Sequence, residues 1–94
     1  MRLTVRYMAQ VKHAAGTAGD EVQLDAPCTV RELLAILAQR RGEALRRMLL
    51  DSAGQAQPTI LIFLGDRQVW PDELLQPRDG DVLTILSPIA GGQN

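Results

Sequence analysis

The last seven residues of the chain hold its clearest chemical potential. Pro88, Ile89 and Ala90 lead into the pair Gly91-Gly92, which Gln93-Asn94 follows, and the run 82–86 just before them is typical of a strand. Paired glycines add no packing and leave the backbone slim and flexible, so this segment is suited to enter a narrow site on another protein. Fully extended, segment 88–94 reaches roughly 23–25 Å. A frayed chain end is the alternative interpretation.

Two other side chains are candidates for chemistry. Cys28 lies just before a helix start, where the helix dipole lowers a thiol pKa and favours sulfur relay. However, Cys28 is the only cysteine, and a small residue in a loop-to-helix joint is the interpretation we favour. His13 has no partner at ligand spacing, so we expect no metal site.

Composition and charge restrict the class of protein. The 94 residues suit one domain, and a hydrophobic content of 46% supplies its core. The formal charge is −1, and no basic stripe alternates with aromatic residues, so we expect no nucleic-acid partner. No apolar run approaches the roughly 18 residues that span a bilayer, and no signal peptide is evident. We therefore predict a cytoplasmic protein without a membrane partner, with one domain over 1–87 and a flexible tail over 88–94.

The first half of the chain predicts two strands and two helices. Polar and apolar residues alternate over 2–7 and over 21–25, which favours a hairpin. Thr29 followed by Glu32 forms a capping box, and one apolar stripe then predicts a helix over about 30–41. The residues expected to be buried on that helix are Leu33, Leu34 and Leu37. A short second helix is expected over 43–50.

The second half predicts strands over 59–64, 68–70 and 82–86, with Trp70 packing at an edge strand. If Leu83 and Ile85 face the helix, then Leu86 faces away, and Ile62 is interpreted as joining it. An apolar outer face exceeds what a monomer normally exposes, so it indicates partner docking. A second layer packed under loops is the alternative.

The predicted order is ββα(α)βββ. Strands grouped around one principal helix favour an α+β fold with the helix on one face of a mixed sheet of about five strands. A hairpin, a crossover helix and a return strand beside the first strand form the ubiquitin-like β-grasp arrangement.

Three segments carry a resemblance to a known family. They are the post-strand segment 8–16, the helix start 29–34, and Asp79-Gly80-Asp81 with the strand and Gly91-Gly92 that follow it. With these segments the chain resembles the small sulfur-carrier proteins of molybdopterin and thiamine-thiazole synthesis, especially the small subunit of molybdopterin synthase. It departs from them at Met8, where an aromatic residue is frequent, at Gly65-Asp66, where Asn-Gly is common, and in Gln93-Asn94.

The resemblance implies a carrier that is not itself an enzyme and binds no cofactor. An E1-like partner uses ATP to adenylate the carboxylate of Gly92, and a sulfur donor converts it to a thiocarboxylate for a sulfur-accepting synthase. Gly91 and Gly92 fit a channel sized for bare backbone. Gln93 and Asn94 block the reactive carboxylate, so the resemblance implies cleavage between Gly92 and Gln93 by a zinc-dependent protease.

The partner-binding residues expected from these patterns are Ile62, Leu86, Pro88, Ile89 and Ala90. Three other functions stay open. These are a molybdopterin synthase small subunit held by a large subunit, a ubiquitin-like binding module that never uses its tail, and a protein modifier joined through Gly92 to lysines.

Overall fold

The computed structural model describes residues 1–88. The predicted flexible tail beyond Pro88 and the predictions for Ile89, Ala90, Gly91, Gly92 and Gln93 lie outside the described residues. Its elements, in chain order, are β1 Arg2–Ala9, α1 Gln10–Ala15, β2 Gly19–Gln23, β3 Cys28–Thr29, α2 Val30–Arg41, α3 Glu43–Leu49, β4 Leu61–Leu64, β5 Arg67–Gln68, β6 Leu74–Leu75 and β7 Val82–Ser87.

The strands of the described part form a five-stranded sheet and a small two-stranded one. The main sheet has the order β2-β1-β7-β4-β5, and β3 pairs with β6 apart from it. Strand β1 runs parallel to β7, and the other neighbours in the main sheet are antiparallel. The predicted mixed sheet and β-grasp fold are therefore confirmed.

Helix α2 begins and ends where the sequence predicts. The Thr29 hydroxyl accepts a hydrogen bond from the Glu32 N–H (3.1 Å), and the Glu32 carboxylate accepts one from the Thr29 N–H (2.7 Å). These two bonds satisfy amides that the first helical turn leaves without partners. The predicted core residues Leu33, Leu34 and Leu37 are fully buried. They join one core with the inward residues of β1 and β7.

Two short helices complete the core. The predicted helix α3 is present and buries Leu45 and Leu49. Helix α1 has no counterpart among the predicted elements, because its six residues are too few to show an apolar stripe, and only Val11 and Ala15 are buried. It ends at Gly16, whose left-handed conformation (φ 75°) suits glycine.

The first two strands after α3 are shorter than predicted. Strand β4 begins at Leu61 rather than at residue 59, because the Ile60 N–H turns back toward the Gln57 carbonyl. Strand β5 contains only Arg67–Gln68. The prediction that Trp70 packs at an edge strand is wrong: 60% of this residue is exposed, and it lies beyond β5.

A polar cluster joins the β1–β2 hairpin to the end of α2. The hydroxyl of the buried Tyr7 donates a hydrogen bond to the Asp20 carboxylate (2.7 Å). Arg41 pairs with the same carboxylate through Nε (2.8 Å) and Nη2. Arg40 donates to the carbonyl of Glu21 (2.8 Å), on the outer edge of β2. The cluster thus fixes the last turn of α2 against the sheet edge. Within residues 1–88, no helix has the length and apolar character needed to cross a bilayer.

Candidate functional site

The tail leaves the fold from the centre of the sheet. Strand β7 lies between β1 and β4, so hydrogen bonds hold it on both sides. Its last residue, Ser87, pairs with Ala9 of β1, and Pro88 is exposed immediately beyond. The residues that follow Pro88 therefore start from a fixed point at one end of the sheet.

The two faces of β7 have different environments. Leu83 and Ile85 are fully buried toward the helices. Thr84 and Leu86 alternate with them and are only partly buried. Leu86 therefore lies on the outer face, as predicted, and its role in docking stays a prediction.

The prediction that Ile62 lies on the outer face is wrong. In the antiparallel register Ile62 is opposite Ile85, and the two residues share the inner face, with Ile62 only 3% exposed. Sequence reasoning failed here because the run around Ile62 is continuously apolar, so it lacks the alternation that separates two faces. Leu61 and Phe63 are the outward residues of β4.

An apolar row crosses the outer face at the end where the tail departs. Strand register places Met8 beside Leu86 and Leu86 beside Leu61, and we call these three residues the tail-end row. Met8 is 46% exposed, which is high for a large apolar side chain in a sheet. Sequence reasoning noted Met8 only as a departure from an aromatic residue, and did not assign Leu61 to this face.

The next row is mixed in character. Arg6 lies beside Thr84, and Thr84 lies beside Phe63. In the described residues Gly19 is the β2 partner of Arg6, so no side chain stands opposite this cation on that side. The outer face is thus most apolar at the tail end and becomes more polar away from it.

Ala9 has a backbone conformation that glycine prefers. Its dihedral angles are φ 55° and ψ −130°, and it is the one non-glycine residue with positive φ among the described residues. Such conformations cost about 1–3 kcal/mol for a residue with a Cβ atom. Because Ala9 pairs with Ser87, this strain is stored beside the point where the tail departs.

The environments of Cys28 and His13 do not favour catalysis. Burial, aided by the neighbouring Glu32 carboxylate, raises the pKa of the Cys28 thiol, which is the opposite of what a reactive thiol requires. The favoured interpretation of Cys28 as a joint residue agrees with its place in the short strand β3. His13 is exposed, and no cluster of three or more metal-binding side chains occurs in the part of the chain that the structure describes.

The β-grasp sheet with its tail at the end of β7 defines a ubiquitin-like protein, and solved structures match this geometry. SAMP1 from Haloferax volcanii matches with a TM-score of 0.83 and 22% identity, covering 98% of this chain and 100% of that one. A structure described as molybdopterin converting factor subunit 1 from Pyrococcus furiosus matches with a TM-score of 0.70 and 26% identity, covering 95% and 99%. The Amycolatopsis orientalis BexX/CysO complex matches with a TM-score of 0.66 and 24% identity, covering 96% and 99%.

The family follows from the sequence match. The model of the ThiS family matches residues 5–92, and the chain belongs to this family of ubiquitin-like sulfur carriers and modifiers. The match includes Gly91 and Gly92 and ends there, so Gln93 and Asn94 lie outside it. No curated protein sequence matches the chain significantly.

Proposed function

We propose that the chain is a sulfur carrier whose reactive group is the carboxylate of Gly92 after Gln93-Asn94 has been removed. The observation that carries this proposal is the family match over 5–92, which ends at the second glycine. The cytoplasm is the compartment we propose. The carrier acts as a co-substrate, and catalysis belongs to its partners.

The proposed chemistry has three steps. A carboxylate oxygen of Gly92 attacks the α-phosphorus of ATP on an E1-like partner, and pyrophosphate leaves. A persulfide sulfur of the donor then attacks the acyl carbon and AMP leaves, giving an acyl disulfide. A second thiol attacks the donor's sulfur in that disulfide, forms a new disulfide with it and releases the thiocarboxylate, whose sulfur passes to a substrate on an accepting synthase. ATP is thus used by the partner, and the carrier holds no cofactor of its own.

Cleavage before activation follows from the chemistry of the carbonyl. While Gln93 is attached, the carbonyl of Gly92 belongs to an amide and offers no carboxylate oxygen to attack ATP. A zinc-dependent protease is the proposed processing enzyme. Pro88, Ile89 and Ala90 would lie in the entry of the partner's channel, and the tail-end row would contact its surface.

The test is ATP–pyrophosphate exchange with the E1-like enzyme of the same host. A chain ending at Gly92 should support exchange without any protease, whereas the chain with Gln93-Asn94 should do so only after a protease is added. Gly92→Ala in the shorter chain should slow exchange, because a methyl group obstructs a channel sized for glycine. Equal exchange by both chain lengths would show that no processing is needed. No exchange by either would favour the ubiquitin-like binding module.

A protein modifier is the second candidate function. It is supported by the structural similarity to SAMP1, because two other similar structures are described as small archaeal modifier protein 1. In this case Gly92 would form an isopeptide bond to a lysine of another protein. Mass spectrometry of the protein from its host separates the two: a carrier gains the mass difference between sulfur and oxygen, and a modifier appears on lysines as the tryptic remnant 79–92, because Arg78 is the last basic residue before Gly92. A molybdopterin synthase small subunit would instead purify with a large subunit.

A further inference from the structure

A groove opens on the far side of β4 from the tail-bearing strand. Its volume is about 380 Å³, and its walls include Ile60 and Leu61 on one side and Val69, Trp70 and Pro71 on the other. It exists because β5 is only two residues long, so the first part of β4 lacks a strand partner there. On the far wall, the Pro71 carbonyl accepts a hydrogen bond from the Arg31 N–H (2.9 Å), in the first turn of α2.

The lining of the groove favours an uncharged occupant. None of the described residues that line it is charged, and only Gln57 and Gln68 contribute polar side chains. Placing a charged group in such surroundings without a partner is unfavourable. Trp70 is 60% exposed at the rim, where its large apolar ring and indole N–H remain available for contact. The amide nitrogen of Gln57 already donates to the carbonyls of Arg47 and Leu50. The chemistry therefore fits an apolar segment of a protein whose backbone amides bond to Gln68.

The position of the groove indicates which protein occupies it. Leu61 lines the groove and also belongs to the tail-end row, so the two apolar surfaces are continuous. The groove lies two strand spacings from β7, at a distance of about 10 Å. The segment from Pro88 to Gly92 spans about 17 Å at most. A protein that holds Gly92 in its active site must therefore lie over this end of the sheet, within reach of Trp70.

We propose that the Trp70 groove is a docking pocket for an uncharged, apolar segment of the E1-like enzyme that adenylates the tail. This inference rests on the proposed function and adds a second contact surface to it. Interfaces of standard size bury about 800 Å² on each partner, which is enough to cover both the tail-end row and the groove. Tryptophan is among the residues whose removal weakens interfaces most.

The single tryptophan of the chain makes the groove observable. The full chain is labelled with 5-fluorotryptophan, so that its fluorine NMR signal comes from Trp70 alone, and is titrated with the unlabelled E1-like enzyme of the same host. The signal should shift or broaden as the complex forms. Trp70→Ala should raise the Kd by about tenfold or more, as for a central interface tryptophan. The isosteric Gln68→Glu, which places a charge in the groove, should also weaken binding.

Leu74→Ala is the matched control, because Leu74 is 54% exposed but does not line the groove. It should leave the Kd within about twofold of the unchanged chain. In pyrophosphate exchange with chains ending at Gly92, Trp70→Ala should raise the KM and keep kcat, since docking precedes the chemistry.

The outcomes separate this inference from the proposed function. If Trp70→Ala supports exchange at the normal KM and the fluorine signal does not change in the complex, the groove is not a docking pocket. The carrier function is then unaffected. A fluorine response without exchange by the chain ending at Gly92 supports the groove and refutes adenylation. If neither the fluorine response nor the exchange is observed, both the groove and the proposed function are refuted. A fluorine shift that depends on the concentration of the chain alone assigns the groove to a second copy, and refutes the proposal.

Discussion

Replacing Asp20 by asparagine tests the cluster that joins the hairpin to α2. The Asp20 side chain is 5% exposed, and its carboxylate accepts hydrogen bonds from Arg41 and from the Tyr7 hydroxyl. The hydrogen bond from Arg41 has the largest influence on the pKa of Asp20 and lowers it. Burial raises this pKa, and the bond from Tyr7 lowers it further. Together they lower the pKa of Asp20 from 3.8 to about 2. Asparagine keeps the shape of the side chain and removes the charge.

The lowered pKa of Asp20 sets the size and the sign of the effect. A tenfold change in the acid dissociation constant corresponds to about 1.4 kcal/mol, so the charged form of Asp20 contributes about 2 kcal/mol to the free energy of unfolding. Because the folded pKa lies below the unfolded one, this contribution is complete above the unfolded pKa of 3.8. It is lost as the pH falls through the folded pKa of about 2.

The assay is urea unfolding followed by far-UV circular dichroism over the pH range that spans both values. Asp20→Asn should lower the free energy of unfolding by about 2–3 kcal/mol at neutral pH. The difference from the unchanged chain should shrink below about 1 kcal/mol at the acid end. Asp66→Asn, in the exposed turn between β4 and β5, is the control and should stay within about 0.5 kcal/mol. A difference for Asp20→Asn that is constant across this pH range would refute the reasoning.

Three further stability predictions and one binding prediction follow from named contacts. Leu37→Ala should lower the free energy of unfolding by about 2–5 kcal/mol, because Leu37 is fully buried in α2. Gly19→Ala should lower it by about 1–3 kcal/mol, because the added Cβ would lie 2.4 Å from the carbonyl oxygen of Val5. Ala9→Gly should raise it by about 1 kcal/mol, since glycine adopts the observed positive φ without strain. Leu86→Asp should weaken binding to the E1-like partner while the fold is kept, because Leu86 lies on the outer face.

Equilibrium unfolding and titration calorimetry check these four changes. An unchanged urea midpoint for Leu37→Ala would contradict its place in the core. Full stability in Gly19→Ala would show that β1 and β2 separate easily at that pair, and a destabilised Ala9→Gly would show that its Cβ is needed. If Leu86→Asp binds normally but unfolds early, Leu86 belongs to the core and the assignment of faces on β7 is incorrect.

The parts of the fold that the sequence predicted best are those with local chemical markers. Helix α2 runs over Val30–Arg41, as predicted, because Thr29 and Glu32 mark its start and Gly42 its end. The alternation in β1 likewise identified its buried face, and the condition set for β7, that Leu83 and Ile85 face the helix, agrees with their burial. In each case the determining contacts lie within a few residues along the chain.

The features that could not be predicted depend on contacts between distant segments. The side of β4 that Ile62 occupies is set by its register with β7, more than twenty residues away. The exposure of Trp70 follows from the shortness of β5 and from the bond between the Pro71 carbonyl and α2. No pattern within either run carries that information. The proposed docking surface therefore needed the structure, even though the resemblance implied that a partner docks.

The register of β7 also explains how one short strand would serve both stability and the proposed partner binding. Successive residues point to opposite faces, so Leu83 and Ile85 fill the core while Thr84 and Leu86 remain available to a partner. Because β1 and β4 hold β7 from both sides, the distance from the tail-end row to Pro88 is constant. A partner that binds this row therefore finds Gly92 within about 17 Å of Pro88. While Gln93 is attached, the carbonyl of Gly92 is an amide, so removal of Gln93-Asn94 is the step that we expect to control activation.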